Sequence, residues 1–395
     1  MLVLVINSGS SSIKYRLFDM TDESQKASGL LERIGEKKSL LTHQAGADQA
    51  TVEREVSGHK EGMDLIIETL TADGGAISDR KAINAIGHRV VHGGEDFTDP
   101  VIIDGMVLDS VKRNAELAPL HNPPNLTGIE VAMALFPDTP QVAVFDTAFH
   151  QTMPAKASRY AIPKEMYEKH GIRRYGFHGT SHKYVAGRAA AMLGKTPADV
   201  NVITVHLGNG SSMAAVKAGR CVDTTMGLTP LEGLVMGTRS GDIDPGVILH
   251  MAERLGMGPS RINRLLNKES GLLGIAGASD LREVMKKRDG GDRDAELAIK
   301  VYAYRIKKYI GAFMAVLGGT DSVAFTAGIG ENSAEIRRLS VEGLEALGIE
   351  LDDKRNNEDV AGEHAISSDK SRVKLLVIPT NEELEIARQT RAVLA

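Results

Sequence analysis

Two stretches two hundred positions apart repeat one plan, and no other feature of the chain narrows its fold as much. Residues 2–7 are an apolar run that stops at Ser8-Gly9-Ser10-Ser11-Ser12, and an alternating segment follows over 13–19. Residues 202–207 are a second apolar run, followed by Gly208-Asn209-Gly210-Ser211-Ser212 and a return segment over 213–217. Each reads as a pair of strands joined by a turn of small residues. Ser11-Ser12 and Ser211-Ser212 are separated by 200 positions, so a single recurrence implies duplicated domains rather than a solenoid. Gly/Ser turns are common, and chance recurrence is the competing account. Duplication is the preferred one.

Other strand ends lead into chemistry-bearing residues. AINAIGHRVVHGGE runs from an apolar stretch into Arg89 and Gly93-Gly94, and QVAVFDTAFH puts Asp146 at the end of another. SVAFTAGIGENSAEIRRL reads as strand, glycine turn and helix, with Asn332 and Glu335 at capping-pair spacing. KLLVIPTNEELEIARQTRAVL repeats that scheme, with Thr380 and Glu383 as a capping box. Strands alternating with helices predict an α/β fold. Residues 21–60 and 352–372 are polar and predict surface loops or weak edge elements, and KKRDGGDRD predicts a solvated turn.

A chain of 395 residues accommodates two or three domains, and 42% hydrophobic content is ample for their cores. The net charge of -5 argues against a general binder of nucleic acid or anionic membrane. Cys221 is the single cysteine, which rules out an intrachain disulfide and a cysteine-rich metal site. No apolar run approaches a membrane span, and the opening LVLVI is too short for a signal peptide and lacks its basic start. These features predict a cytoplasmic globular protein.

Backbone N–H groups in Gly/Ser turns form concavities for anions, and hydroxyls with a nearby lysine add donors and charge. A plain hairpin turn explains Gly9 but not three serines followed by Lys14. Standard nucleotide motifs fail. AMLGKT looks like the end of a P-loop, but Ala189 stands where the first glycine belongs, while Met213 and Ser333 replace the third glycine of the dinucleotide fingerprints begun at Gly208 and Gly328. The His88/His92 and His178/His182 pairs have i,i+4 spacing, but neither is HExxH, and a metal-hydrolase reading is weak. No G-x-S-x-G elbow is present. Arg89 and Arg239 stand in glycine-rich segments, where a cation serves little purpose for solubility. With Asp146, Glu382 and His178 they form a set suited to phosphoryl transfer, in which cations stabilise the equatorial oxygens and carboxylates hold Mg²⁺.

INSGSSSIK, GHRVVHGGE, FDTAFH, RRYGFHGTSH, HLGNGSS, DTTMGLTPLEGLVMGTRSGDIDPG, SDLRE, FTAGIGENS and TNEELEIAR occur in this order. Together they resemble the acetate kinase family, from Leu2 to the last helix. The resemblance implies two ribonuclease-H-like domains of the actin, sugar-kinase and chaperone-ATPase superfamily, with the active site in the cleft between them. It implies domains of 1–149, completed by a last helix over 384–395, and 150–383. It also implies reversible transfer of phosphate between ATP and acetate, giving acetyl phosphate and ADP, with Mg²⁺ or Mn²⁺, in a homodimer. By the same resemblance Asn7 and Glu382 lie near the metal, and Ser10, Ser12 and Lys14 form a first phosphate loop. Arg89, Asp146, His178 and Arg239 surround the transferred group. His206, Leu207, Gly208, Asn209 and Gly210 form a second loop, with Asp280, Leu281, Arg282, Gly328, Ile329, Gly330 and Asn332 around adenosine. Val91, Leu120, Phe177 and Pro230 meet the methyl group of the acid. A propionate kinase of the same family is the alternative. Cys221 and Thr225 stand where the family often has serine, and Leu281 where it often has phenylalanine.

Overall fold

A computed structural model describes all 395 residues. The chain forms two compact units, one of Met1–Phe149 with Asn381–Ala395 and the other of His150–Thr380.

The first unit is built on an eight-stranded sheet in the order β5-β4-β3-β2-β1-β6-β8-β7. Its strands are β1 (Leu2–Ser8), β2 (Ser12–Asp19), β3 (Ser24–Glu32), β4 (Ser39–Ala45), β5 (Asp48–Arg54), β6 (Ala85–Val90), β7 (Val101–Ile102) and β8 (Gln141–Phe145). The continuous apolar run of β1 marks a central strand, since β2 pairs with it antiparallel and β6 parallel, and Val3–Ile6 are all buried. The second unit has a six-stranded sheet of β9 (Asn201–Leu207), β10 (Ser211–Lys217), β11 (Arg220–Thr224), β12 (Ser322–Thr326), β13 (His364–Ala365) and β14 (Lys374–Val377), in the order β11-β10-β9-β12-β14-β13. Both sheets contain one arrangement. A three-stranded antiparallel meander, β3-β2-β1 or β11-β10-β9, is followed by two strands parallel to its first member, β6 and β8 or β12 and β14. This is the ribonuclease-H-like plan, present twice.

Residues 24–54 are three full strands, not the loops or weak edges expected. Ala27, Leu31 and Leu41 point into the core while the alternate residues face solvent, so the segment reads as polar although it is paired throughout. Only β5, the true edge, is almost wholly exposed. Both predicted caps are also displaced by one residue. Ser333, not Asn332, accepts from Ile336 N, and Glu335 pairs with Arg288 instead. Asn381, not Thr380, accepts from Leu384 N at 3.1 Å.

The first unit closes on its own last segment. Helix Glu382–Leu394 lies on β6 at Gly87, where a Cβ would come within 2.4 Å of Thr390 Oγ1. The returning segment begins at Asn381, ahead of the expected 384, because Asn381 accepts from Arg16 (3.2 Å) and Glu383 pairs with Lys14 and Arg16. In the second unit, Ile203, Val205, Phe325 and Leu375 pack with Tyr302, Ile306 and Phe313 of the long helix Arg293–Leu317.

Two buried histidines near the end of β6 set an acid limit on the first unit. Burial lowers both His88 and His92 to about 4, so both are neutral when folded. The unfolded chain binds their protons near pH 6.5 and the folded chain does not. Stability is therefore present at neutral pH and lost as pH falls from about 6.5 toward 4, by roughly 2 kcal/mol per histidine between pH 7 and 5. Acid unfolding followed by circular dichroism should have a lower midpoint in His88→Gln, and an unchanged midpoint would remove His88 as a cause.

Candidate active site

In the first unit, three parallel strands bring their carboxyl ends together. Asn7 follows Ile6, which pairs with His88, so β1 and β6 deliver Asn7 and Arg89 side by side. Asp146 follows β8 and binds Val90 O through its own N–H at 2.9 Å. The Arg89 fork grips Asp146, with Nη2 to Oδ2 at 2.6 Å and Nε to Oδ1 at 3.1 Å. Burial works against the Arg89 charge, but Asp146 and Glu382 outweigh it and its pKa is raised. Glu382 opens the last helix, and burial, with Asp146 and Glu383 nearby, pushes its carboxyl up against the pull of Arg89. The two acids thus outnumber the arginine.

Lys14, expected at the first phosphate loop, has a partner within the first unit. Its Nζ pairs with Glu383, and with Arg16 it fastens the last helix to β2. Ser10 is exposed and Ser12 half-buried, in a turn closed by Gly9 N–H to Ser12 O at 2.8 Å. Val91 is buried, and its N–H donates to Asn125 Oδ1 at 3.1 Å. Leu120, expected in an apolar wall, is 68% exposed, since it lies in the turn ahead of helix Asn122–Leu135 and no core residue reaches it.

In the second unit the sites converge on one loop. His178 stands at the head of helix Gly179–Met192 with a left-handed backbone, φ +57°. Such strain in a non-glycine residue persists only where the surroundings hold it. Its ring lies on that of His206, with centroids 4.3 Å apart, and its Nδ1 is 2.8 Å from Ser212 Oγ. The space above Gly210 that a Cβ would take is 3.5 Å from both His178 Cε1 and Arg239 Nη1. Arg239 donates to Pro230 O at 3.3 Å and to Met236 Sδ, and no carboxylate pairs with it. Burial without a compensating anion lowers its pKa. A half-buried guanidinium, an imidazole and an open glycine backbone make a receptor for an anion.

Beside it is a cavity of about 640 Å³ lined by Gly208, Asn209, Asp280, Leu281, Arg282, Gly328, Ile329 and Asn332, all expected at the nucleotide. Such a volume suits a small molecule. Asp280 caps the following helix through Arg282 N and takes the Arg282 fork, which holds its carboxyl down to about 2. Two expected members lie elsewhere. Leu207 alternates with His206 on β9 and points into the core, and Gly330 packs under the end of β12. Phe177 is buried, and its carbonyl accepts from His150. No group of three or more His, Cys, Asp or Glu is placed to hold a metal, and the paired histidines are spent on Gln141, Gly94, Thr204 and Ser212.

Several positioning residues carry no signal in the sequence. Asn125 binds Ser8 O at 2.7 Å and Asn122 binds both backbone groups of His92, so two buried amides of HNPPN pin the first turn and the segment after Arg89. His59 holds Gly9 O at 2.7 Å. Gly237 lines the cavity because any Cβ there would strike Asn209 Oδ1 at 2.4 Å. Arg337 threads its fork onto Asn356, Gly330 O and Glu331 O, bracing the loop under the cavity.

Comparison with known proteins agrees with this arrangement. The model of the acetokinase family matches residues 2–388. An acetate kinase of Streptomyces avermitilis is 54% identical over 394 residues, covering 99% of this chain and 97% of that protein. The crystal structure of Porphyromonas gingivalis acetate kinase superposes with a TM-score of 0.96 at 44% identity, covering 100% of both chains. A propionate kinase from Francisella tularensis superposes at 0.93, with 43% identity over 99% of both chains. With a family model matched along nearly its whole length and a relative sharing more than half its residues, the chain belongs to the acetokinase family.

Proposed function

We propose that this protein transfers the γ-phosphoryl group of ATP reversibly to acetate, giving acetyl phosphate and ADP. The observation that carries this reading is Arg239, an anion-free guanidinium that meets His178 over Gly210, next in sequence to two residues of the cavity. A nucleotide in that cavity extends its phosphates along the 208–210 loop toward these donors. The transferred group spreads its charge over three equatorial oxygens, which a planar fork and an imidazolium stabilise. Acetate is already an oxyanion, so the acceptor needs positioning rather than a base. Arg89, braced by Asp146, serves the acid and the transferred group.

Mg²⁺, or Mn²⁺ in its place, fits Asn7, Asp146 and Glu382. Magnesium takes one or two carboxylates and leaves its other positions to phosphate and water, and the crowded acids of this cluster gain from a cation. When bound, it neutralises charge on the phosphates of the nucleotide. We further propose a homodimer. Helix Pro245–Glu253 has no buried residue although it carries Val247 and Leu249, and Leu255 beyond it is 59% exposed, an apolar face that suits a second copy. Sedimentation as a single 42.4 kDa chain would remove that proposal. Its nucleotide substrate points to the cytoplasm as its place of action.

The test of the reaction is hydroxylamine trapping of acyl phosphate across short fatty acids. The family resemblance sets Val91 and Phe177, both buried and apolar, at the methyl group of the acid, with no polar handle for a longer or hydroxylated chain. Such walls sense size, and one methylene is worth about 1–3 kcal/mol, or roughly 10–200-fold. Acetate is therefore expected first, propionate weaker and butyrate poorer, with Val91→Ala narrowing the gap between the first two. Equal kcat/KM values, or propionate ahead, would transfer the assignment to a propionate kinase, and no acyl phosphate at all would overturn the reaction.

A further inference from the structure

Three polar side chains lie in a row behind His178, two of them on one face of β9 and β10 and the third on the helix that His178 heads. Thr204 and Ala214 are cross-strand partners, as are His206 and Ser212. Fully buried His182, from helix Gly179–Met192, bridges them. Its Nδ1 is 2.7 Å from Thr204 Oγ1, and its Nε2 is 2.8 Å from Ser212 Oγ. Ser212 Oγ is also 2.8 Å from His178 Nδ1. The row therefore runs Thr204, His182, Ser212, His178.

We propose that Ser212 is a positioning residue that keeps the ring proton of neutral His178 on Nδ1, with the direction of the row set from its far end by Thr204. This rests on the reading that His178 faces the transferred phosphoryl group. Thr204 Oγ1 is 3.4 Å from the carbonyl of Ala214, which can only accept. A hydroxyl has one proton, and once donated there its oxygen accepts from His182 Nδ1–H. Burial, with His150 and His206 close by, holds His182 far below its ordinary pKa, so the ring is neutral and its Nε2 offers a lone pair. The Ser212 proton goes to that lone pair, and the Ser212 oxygen accepts from His178 Nδ1–H. Which nitrogen of a histidine carries the proton is set in this way by the bond its other nitrogen makes.

The chemical consequence lies at His178 Nε2. With Nδ1 always protonated, Nε2 is the only nitrogen that gains and loses a proton. Neutral His178 presents a lone pair there, and the imidazolium alone presents an N–H to a phosphoryl oxygen. Near the ring lie Arg239, whose cation opposes an imidazolium, the stacked ring of His206, and Ser212, which accepts from Nδ1–H. The reverse direction, with Thr204 donating to His182, would put the proton of neutral His178 on Nε2.

Nitrogen-15 histidine labelling of the full chain, with His178→Gln to assign the signal, reads the tautomer directly in alkaline buffer. The Nδ1–H form is expected for His178, and Ser212→Ala should convert it to Nε2–H. The alanine variant should also lower kcat about 10- to 100-fold, the usual scale for an orienting hydrogen bond, with KM for ATP and acetate nearly unchanged. Thr204→Val keeps the shape but removes the anchor. His182 can then carry its proton on Nε2, Ser212 turns its hydroxyl toward His178, and the same conversion to Nε2–H follows. An Nε2–H ring in the unmodified protein, or an Nδ1–H ring persisting in both variants, overturns the proposal. The tautomer is read without turnover, so a normal rate in His178→Gln would overturn only the reading of His178 at the phosphoryl group.

Discussion

Arg239→Ala should lower kcat by about 10²- to 10³-fold while leaving the protein as stable as before, or slightly more so. The loss is that of one preorganised donor to a group whose charge develops in the transition state. The stability follows from the surroundings. Arg239 is half-buried with no carboxylate partner, so burial weighs on its charge and removing it relieves a cost. Arg239→Lys should recover little, because a compact ammonium cannot present the planar fork. Arg89→Ala offers the contrast. Turnover should fall comparably, but Asp146 would be left buried and unpaired beside Glu382, at a cost of about 3–5 kcal/mol. Kinetics and thermal melts of the two alanine variants decide it. Near-normal turnover in Arg239→Ala would remove this residue from the reaction, and equal melting temperatures would refute the different settings of the two arginines.

The second large effect separates two adjacent glutamates. Glu382 lies under the influence of Arg89 and Asp146, whereas Glu383 is paired with Lys14 and Arg16. Glu382→Gln should cut turnover by about two orders of magnitude at ordinary Mg²⁺, with partial recovery as the metal is raised. Its folded state should not suffer, since burial already disfavours that carboxylate. Glu383→Gln should keep its Mg²⁺ requirement and lose about 1 kcal/mol of stability, the modest value of a partly exposed ion pair. A Mg²⁺ titration of both variants, with their melting temperatures, is the measurement. If the two behave alike, the division of labour between them is wrong.

What could be read in advance was chemistry carried by local pattern. A strand that ends in Gly and Ser, or an arginine set among glycines, is costly or pointless unless something approaches closely, and Gly210 with Arg239 shows that juxtaposition in space. The polar stretch over 24–54 misled because its strands bury only alternate residues and present the others to water. Asn122, Asn125 and His59 were invisible for another reason. Each acts on backbone groups 30 to 117 positions away, and the sequence does not display pairings at that range. The ion pair of Lys14 was invisible in the same way, because its partner, Glu383, lies hundreds of positions away along the chain.

That distant partner bears on how the protein is made. The face of β6 at Gly87 stays bare while the second unit is made, because the helix that covers it follows residues 150–380 in the chain. The second unit is thus synthesised whole before the first has its last segment. A nascent chain cut short before Asn381 keeps the whole second unit but lacks Glu382, Glu383 and the cover over β6. Such a product exposes the apolar face of β6 to chaperones and proteases, so the absence of the helix that completes a finished molecule marks an unfinished one for removal.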